Sequence, residues 1–517
     1  MAISDRCSKV DEVIKRDDIR GIYGENIDSE LAYNLGLALA DTFVQCTEVQ
    51  PVNVAVGHDM RLSGPVLATA LCRGLEDGGC RPIRMGLAGT ELVGFLPAKY
   101  SDLIDGGIII TASHNPRDNN GFKFFGRGGR PLPLAVDAEA PLPEDELQRI
   151  GLALKKQAVP ERPGWDDFAP DYIQTILERG GCDFEEACAG FQEPMRVAVE
   201  AGNGMGAKIL GEFAELTPRF EWSFSNDRPD GAFPIIIPNP LNAEYQSMLT
   251  DLVGRTDSHV GICFDGDADR VAVMDENGEM ISPPLHTALV GKRLRDKLGP
   301  DIKIAFNLAS SWVVADTLGD RTDVLGDGDA VMTPVGYGKI KAIMYDDPEI
   351  AFGAEHSGHY MFREFWCADS GMMAGILMLE LAAELHSQGQ PLSSVLETPR
   401  SKYFESGEIN FQMPAERPAD QVIAEAAEQF GDQIERMYVV VDDRVRLVDS
   451  YPPEGMELSV ADLRAEADDW WFCMRKSGTE GAGGGILRLY VEAFGDRALM
   501  EEKRDALVEL AGPELRM

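Results

Sequence analysis

Short runs of consecutive apolar residues recur along the chain, separated by stretches in which apolar positions return every three to four residues. The runs Val52–Val56, Gly107–Thr111, Val197–Glu200, Val260–Phe264 and Val271–Met274 have the length and composition of strands buried on both faces in a parallel sheet. Between many of them lie segments of helical periodicity, at Ser29–Phe43, Pro65–Asp77, Tyr172–Glu178 and Met372–Leu385. Strands alternating with helices predict an α/β protein with layered, largely parallel sheets. Polar joints rich in Pro or Gly fall at Ala158–Pro170, Asn277–Pro284 and Pro391–Gly407, and the last precedes a more mixed C-terminal stretch. A strand, polar loop, helix motif is read around Asp59, Ser113, Asn203 and Asp265, which points to a shared fold in the first three units.

Composition narrows the class. A chain of 517 residues exceeds one hydrophobic core and implies roughly three to five domains. With 44% hydrophobic and 26% charged residues it reads as globular, not disordered. A formal charge of −39 repels nucleic acid and anionic membranes, so neither is expected as a partner. An anionic substrate would then need local cations or a metal. Nine Cys without a C-x-x-C pair argue for reduced thiols and against a disulfide framework. The segment MAISDRCSKVDEVIKRDD has no apolar signal core, and no run approaches the ~20 apolar residues of a membrane span. The expectation is a cytoplasmic protein.

Four strings carry candidate chemistry. In GGIIITASHNPRDNNGFKFF, Ser113 stands just past a strand end, where ligands gather in open α/β sheets, with His114 and Asn115 beside it and Lys123 downstream. A serine there suits a covalent phosphoryl carrier; the competing reading is a turn in which Ser113 and Asn115 satisfy backbone groups. In VGICFDGDADRVAVMD, Asp265, Asp267 and Asp269 recur at a spacing of two. Oxygen-only ligands suit Mg²⁺, and Arg270 would reach a phosphate beside it. A calcium-binding helix–loop–helix needs Gly where Arg270 stands and helices where strands are read. In GAEHSGHYMF, Glu355 and Ser357 occupy a Gly-bounded loop with His356 and His359, a set able to grip sugar hydroxyls. In MRKSGTEGAGGG, Arg475, Ser477, Gly478 and Thr479 offer a guanidinium fork, hydroxyls and open amides for an anion. Asp59 and Arg61, like Arg20 in DDIRG, are equally readable as structural ion-pair residues.

Taken in order, TASHNP, DGDADR, EHSGH and RKSGTE resemble the phosphoserine, metal, sugar and phosphate loops of the α-D-phosphohexomutase family, with weaker agreement at DIRG, GHDMRLSG, GLAGTE, EAGNGMG and DGAFP. The resemblance spans nearly the whole chain. It implies four domains around a central cleft, three related mixed α/β domains and a smaller C-terminal α+β domain, at residues 1–165, 166–277, 278–400 and 401–517. It further implies that Ser113 is the phosphorylated nucleophile and that Ser113, Asp265, Asp267 and Asp269 meet Mg²⁺. Arg20, Lys123, Arg270 and His114 would serve catalysis; Glu355, Ser357 and His359 would bind the sugar; Arg475, Ser477, Gly478 and Thr479 would bind the resting phosphate. The implied reaction interconverts hexose 1- and 6-phosphates of mannose, with glucose as a second substrate, through a 1,6-bisphosphate that also acts as activator. A phosphoglucosamine mutase and a hexose-1,6-bisphosphate synthase are the alternatives, and EHSGH favours the first reading over the EQSGH of glucosamine enzymes. The expected partner is a small phosphosugar, and the protein is expected as a monomer or dimer. The chain departs from the family pattern at Asp17, at Gly57-His58-Asp59, at Tyr337, at Gly481 after SGTE, and in the longer ADLRAEADDWWF region.

Overall fold

The computed structural model describes residues 12–14, 18–45, 51–130, 165–325, 328–453, 462–476 and 485–517. Contacts divide the chain into two units, the first running through Ile281 and taking in Gly358–Leu392, the second holding Ser282–Ser357 and Ser393–Met517.

The first unit opens with β1 (Ile19–Ile22), α1 (Ser29–Gln45), β2 (Val52–His58), α2 (Gly64–Asp77), β3 (Cys80–Leu87), α3 (Thr90–Lys99), β4 (Gly106–Ile110) and β5 (Asn119–Gly126). The strands form a five-stranded sheet in the order β1-β5-β4-β2-β3. Strand β2 runs parallel to β3 and β4, whereas β5 is antiparallel to both β4 and β1. Ile108 and Ile110 of β4 and Phe122 of β5 are fully buried, together with Leu67, Leu71 and Leu75 of α2. Each such side chain contributes roughly 1.5–3 kcal/mol by leaving water, enough together to fix the pairing of the strands that carry Ser113 and Lys123.

Next come α4 (Trp165–Gly180), β6 (Met195–Glu200), α5 (Gly206–Glu215), β7 (Phe220–Ser225), α6 (Ala243–Thr256), β8 (Val260–Phe264) and β9 (Val271–Asp275). The order β7-β6-β8-β9 repeats the pattern of the first sheet: three parallel strands, then an antiparallel neighbour. The expected kinship of the first two modules is therefore visible in their topology.

In the second unit, α7 (Pro283–Leu298), β10 (Lys303–Asn307), α8 (Trp312–Leu318), β11 (Ala330–Thr333), α9 (Tyr337–Asp346) and β12 (Ile350–Ala354) make a third α/β module, with β10 parallel to both β11 and β12. The chain then supplies β13 (Tyr360–Phe362), β14 (Ala368–Asp369) and α10 (Gly371–Ser387) to the first unit. It ends in the second unit with β15 (Tyr403–Glu405), β16 (Ile409–Gln412), α11 (Ala419–Phe430), β17 (Arg436–Val441), β18 (Arg444–Val448), β19 (Asp462–Glu466), β20 (Trp470–Lys476), β21 (Ile486–Phe494) and α12 (Arg497–Ala511). These strands form one antiparallel sheet of seven, packed against α11 and α12 through Phe411, Val422, Phe472, Leu489 and Leu507.

Four expectations change. Val271–Met274 lies in an antiparallel strand, because the six-residue connection Asp265–Arg270 is too short for a parallel crossover. For the same reason the motifs at Ser113 and Asp265 are strand, loop, strand; only those at Asp59 and Asn203 lead into helices. The joint read at Ala158–Pro170 is helical from Trp165 onward, because Phe168, Ala169, Tyr172, Ile173 and Ile176 bury one helical face; Pro170 is tolerated inside α4, and residues 158–164 lie outside the described residues. The joint at Pro391–Gly407 contains a short helix, Glu397–Lys402, and β15.

Candidate active site

Strand β4 ends at Ile110 and delivers Ser113 three residues later. Thr111 shapes the turn: its hydroxyl donates to Asp59 (2.7 Å) and accepts from the Ser113 amide (2.9 Å). Ser113 then takes a left-handed backbone, φ 49°, a conformation that L-residues adopt only when the surroundings impose it. Arg61 imposes it. Its fully buried guanidinium pairs with Asp59 and donates to the carbonyls of Ser113 (2.8 Å), Asn115 (2.7 Å), Pro116 (2.6 Å) and Asn119 (2.9 Å).

The second loop is the hairpin turn between β8 and β9. Asp265, Asp267 and Asp269 are all fully buried, and each presents a carboxylate oxygen within 4.8 Å of the others. The two loops touch at Gly266, where a side-chain β-carbon would lie 2.6 Å from the Ser113 carbonyl oxygen. That contact brings the serine to the acids: Ser113 Oγ donates to Asp265 Oδ2 at 2.6 Å. Arg270 donates to the same hydroxyl (2.8 Å) and to Asp265 (2.8 Å), while His114 Nδ1 lies 3.2 Å from Oγ and accepts from Arg270.

Lys123, opposite Ile109 in the β4–β5 ladder, sends its ammonium to Asp267 Oδ2 (2.9 Å) and to Asp269 Oδ2. The Oδ1 atoms of Asp267 and Asp269 are buried and have no hydrogen-bond partner among the described residues. Buried carboxylate oxygens left in that state are costly unless a cation takes them. Three convergent carboxylates, two of them with an oxygen that accepts no hydrogen bond among the described residues, fit a hard divalent ion such as Mg²⁺. Burial works against the charge on Asp267, but Lys123 and the Thr90 hydroxyl outweigh it and hold the group well below the usual carboxylate range. Asp269 is pushed up by burial and by the charge of Asp267. His114 is held well below the ordinary imidazole value by burial and by Arg270, Arg20 and His359.

The structure thus assembles Ser113, His114, Lys123, Arg270 and the three Asp in one unit. Arg20 approaches through Asn115 (3.3 Å) and is oriented by Asp18 (2.6 Å); His359 lies near enough to act on His114. The second unit holds the other candidates. Glu355 accepts from the Gly336 amide (2.7 Å) and from Ser357 (3.3 Å), and Asn307 lies 3.4 Å from it. His356 meets Asn307 (2.9 Å) on one ring nitrogen and the Tyr490 hydroxyl (2.6 Å) on the other; Tyr490 also donates to Glu408. Arg475 stands on β20 opposite Arg488 of β21. Ser477, Gly478 and Thr479 lie outside the described residues.

Sequence reasoning left the tasks of Arg61, Thr90, Glu91, Asn307 and Tyr490 unassigned. Arg61 was visible as an ion-pair candidate and Thr90–Glu91 within GLAGTE, but their roles depend on contacts 52 to 281 residues away in sequence.

This arrangement places a serine and a carboxylate cluster together at the ends of two kindred α/β sheets. Family models described as phosphoglucomutase/phosphomannomutase α/β/α domains I, II and III match residues 11–140, 170–278 and 286–403. Phosphomannomutase of Salmonella montevideo is 30% identical over 95% of this chain and 97% of its own length, and the phosphohexose mutases of Xanthomonas campestris pv. campestris are 30% identical over the same shares. A crystal structure of a phosphoglucomutase/phosphomannomutase family protein from Burkholderia thailandensis shares the fold, with a TM-score of 0.71 at 23% identity over 97% of each chain. The chain belongs to the phosphoglucomutase/phosphomannomutase family and is a phosphohexomutase, an enzyme that moves a phosphoryl group. Among the described residues, no helix is long and apolar enough to cross a membrane.

Proposed function

We propose that this phosphohexomutase interconverts the 1- and 6-phosphates of mannose, with glucose as a second substrate, through phospho-Ser113 and a hexose 1,6-bisphosphate. The observation that carries the reading is the Ser113 hydroxyl, held 2.6 Å from Asp265 and 2.8 Å from Arg270 at the edge of a buried three-carboxylate cluster. Phospho-Ser113 gives its phosphoryl to the free hydroxyl of a hexose monophosphate. The serine O–P bond breaks and a sugar O–P bond forms, while the sugar hydroxyl gives up one proton and the freed Ser113 oxygen takes one up. The bisphosphate turns over and returns its other phosphate to Ser113, whose proton has Asp265 Oδ2 and His114 Nδ1 within reach.

Asp265, Asp267 and Asp269, with Ser113, would hold Mg²⁺, which when bound neutralises charge on the transferring group. Arg270 and Arg20 serve the same electrostatic end from this chain, and Lys123 keeps the acid cluster compact. Glu355, Ser357 and His359 carry hydrogen-bonding groups for sugar hydroxyls. Arg475 with Ser477, Gly478 and Thr479 takes the resting phosphate. We assign these roles to four domains at residues 1–165, 166–277, 278–400 and 401–517. Hexose 1,6-bisphosphate is assigned as activator, and the compartment as cytoplasmic.

The test follows product against time from mannose-, glucose- and glucosamine-1-phosphate with Mg²⁺ and a trace of bisphosphate. Isomerised mannose and glucose monophosphates support the reading. Preference for the glucosamine substrate, or accumulation of bisphosphate, supports one of the alternatives. Ser113→Ala with its fold intact should lose turnover, and substantial residual turnover would refute the covalent route.

A further inference from the structure

We propose that Thr90 is a positioning residue for the cation site, fixing which oxygen of Asp267 is presented to the ion. This rests on the assignment of Asp265, Asp267 and Asp269 as cation ligands.

Thr90 is the first residue of α3 and is buried. Its hydroxyl donates to Asp267 Oδ2 at 2.5 Å, and its amide donates to the Asp267 carbonyl at 3.2 Å. One residue therefore holds both the side chain and the main chain of the central acid. Oδ2 is further occupied by Lys123 at 2.9 Å. Oδ1 is buried and receives no hydrogen bond from the described residues. The division of labour is complete: the protein's donors take one oxygen, and the other keeps all its capacity for a metal. Without the threonine hydroxyl, only the swivelling Lys123 ammonium holds Oδ2, and the carboxylate turns more readily about its Cβ–Cγ bond and loses that assignment.

The neighbouring residue braces the other side of the same loop. Glu91, fully buried, accepts from Ser370 Oγ (2.6 Å), Tyr172 OH (2.5 Å) and the Met372 amide (3.0 Å), which fixes the start of α10. There Gly371 lies so close to the main chain of Asp269 and Arg270 that a β-carbon would sit 2.9 Å from Arg270 backbone atoms. Thr90 and Glu91 thus grip the carboxylate loop from two sides through one helical turn. Groups that orient a metal ligand typically change metal affinity about 10–100-fold when removed.

The test is equilibrium titration of the full-length protein with Mn²⁺, reading free aqueous Mn²⁺ by electron paramagnetic resonance. Thr90→Val keeps the shape and removes the hydroxyl; Thr90→Ser restores it. The expected result is a Kd raised about 10-fold or more in Thr90→Val and near wild type in Thr90→Ser. Thr90→Ala serves if the valine variant does not fold by circular dichroism. Equal Mn²⁺ affinity in wild type and in a folded hydroxyl-free variant would overturn the role of Thr90 while leaving the cation site standing. Absence of saturable Mn²⁺ binding in the wild type would overturn both.

Discussion

The Lys123 ammonium lies 2.9 Å from Oδ2 of Asp267 while also pairing with Asp269, so one cation serves two fully buried carboxylates. Removing one partner from such a buried cluster typically costs about 3–5 kcal/mol, because the remaining charge is left unpaired. A divalent ion in the same cluster supplies replacement charge. Lys123→Met should therefore melt well below the wild type in EDTA, and saturating Mg²⁺ should recover most of the difference. The check is a pair of thermal melts. An equal deficit with and without Mg²⁺ would show that Lys123 packs the loop without neutralising it.

Arg61 spreads one guanidinium over four carbonyl oxygens of the serine loop. Lysine keeps the charge but has no planar fork, so it cannot reach these acceptors together. Arg61→Lys should let the left-handed turn at Ser113 relax. A misplacement near 1 Å at a reacting atom is worth about a hundredfold in rate, so kcat should fall by roughly that factor. Mn²⁺ affinity should stay near wild type, because Arg61 touches none of the three acids apart from long-range charge. A kcat close to wild type would mean that the turn holds itself.

How much of this was legible in the sequence follows from how local each feature is. The acid triplet sits within five consecutive residues of one short turn, so its convergence was written in the spacing itself. Ser113 was legible as a polar residue past an apolar run. Its pairing with Asp265 was not, because it joins residues 152 positions apart through the packing of two sheets. Strand direction was misread for β9 because a fully buried strand shows no alternation, and only the short connecting turn tells parallel from antiparallel. Pro170 marks a helix boundary in the sequence, whereas the burial of Tyr172 and Ile173 outweighs its missing amide and α4 runs through it. Thr90 and Glu91 stood out only as the end of GLAGTE, with no role attached. Their meaning comes from Asp267 on one side and from Ser370 and Met372 on the other.

Glu91 also ties stability to pH. Burial pushes its carboxyl up to about 7 from an ordinary value of 4.5, although Ser370, Tyr172 and the Met372 amide all donate to it. Between those two values the folded protein keeps a proton that the unfolded chain has released. The contribution of this group to stability is therefore full below pH 4.5, declines as pH rises, and is lost once pH passes about 7. Glu91→Gln has no proton to lose there. The difference in melting temperature between wild type and Glu91→Gln should shift steadily in favour of the glutamine variant across that window. A difference that does not vary with pH would show that the carboxylate is ionised throughout.

In the second unit, Tyr490 joins the Glu355–Ser357 loop to the C-terminal sheet: its hydroxyl lies 2.6 Å from His356 and donates to Glu408. Burial opposes the charge on Glu408, but His356 and Arg488 hold its carboxyl at about 2, so the acceptor stays ionised at neutral pH. His356 in turn meets Asn307, which approaches Glu355. Tyr490→Phe removes only the oxygen that joins these two chains of contacts. If Glu355 grips the sugar, its loosened orientation should weaken the binding of every hexose phosphate alike. The loss of one such hydrogen bond is worth about 1 kcal/mol, so KM should rise roughly fivefold with kcat changed by less than about twofold. Steady-state kinetics with mannose 1-phosphate would decide it. A fall in kcat at constant KM would place Tyr490 in the chemical step, and no change in either would detach the His356 contact from substrate binding.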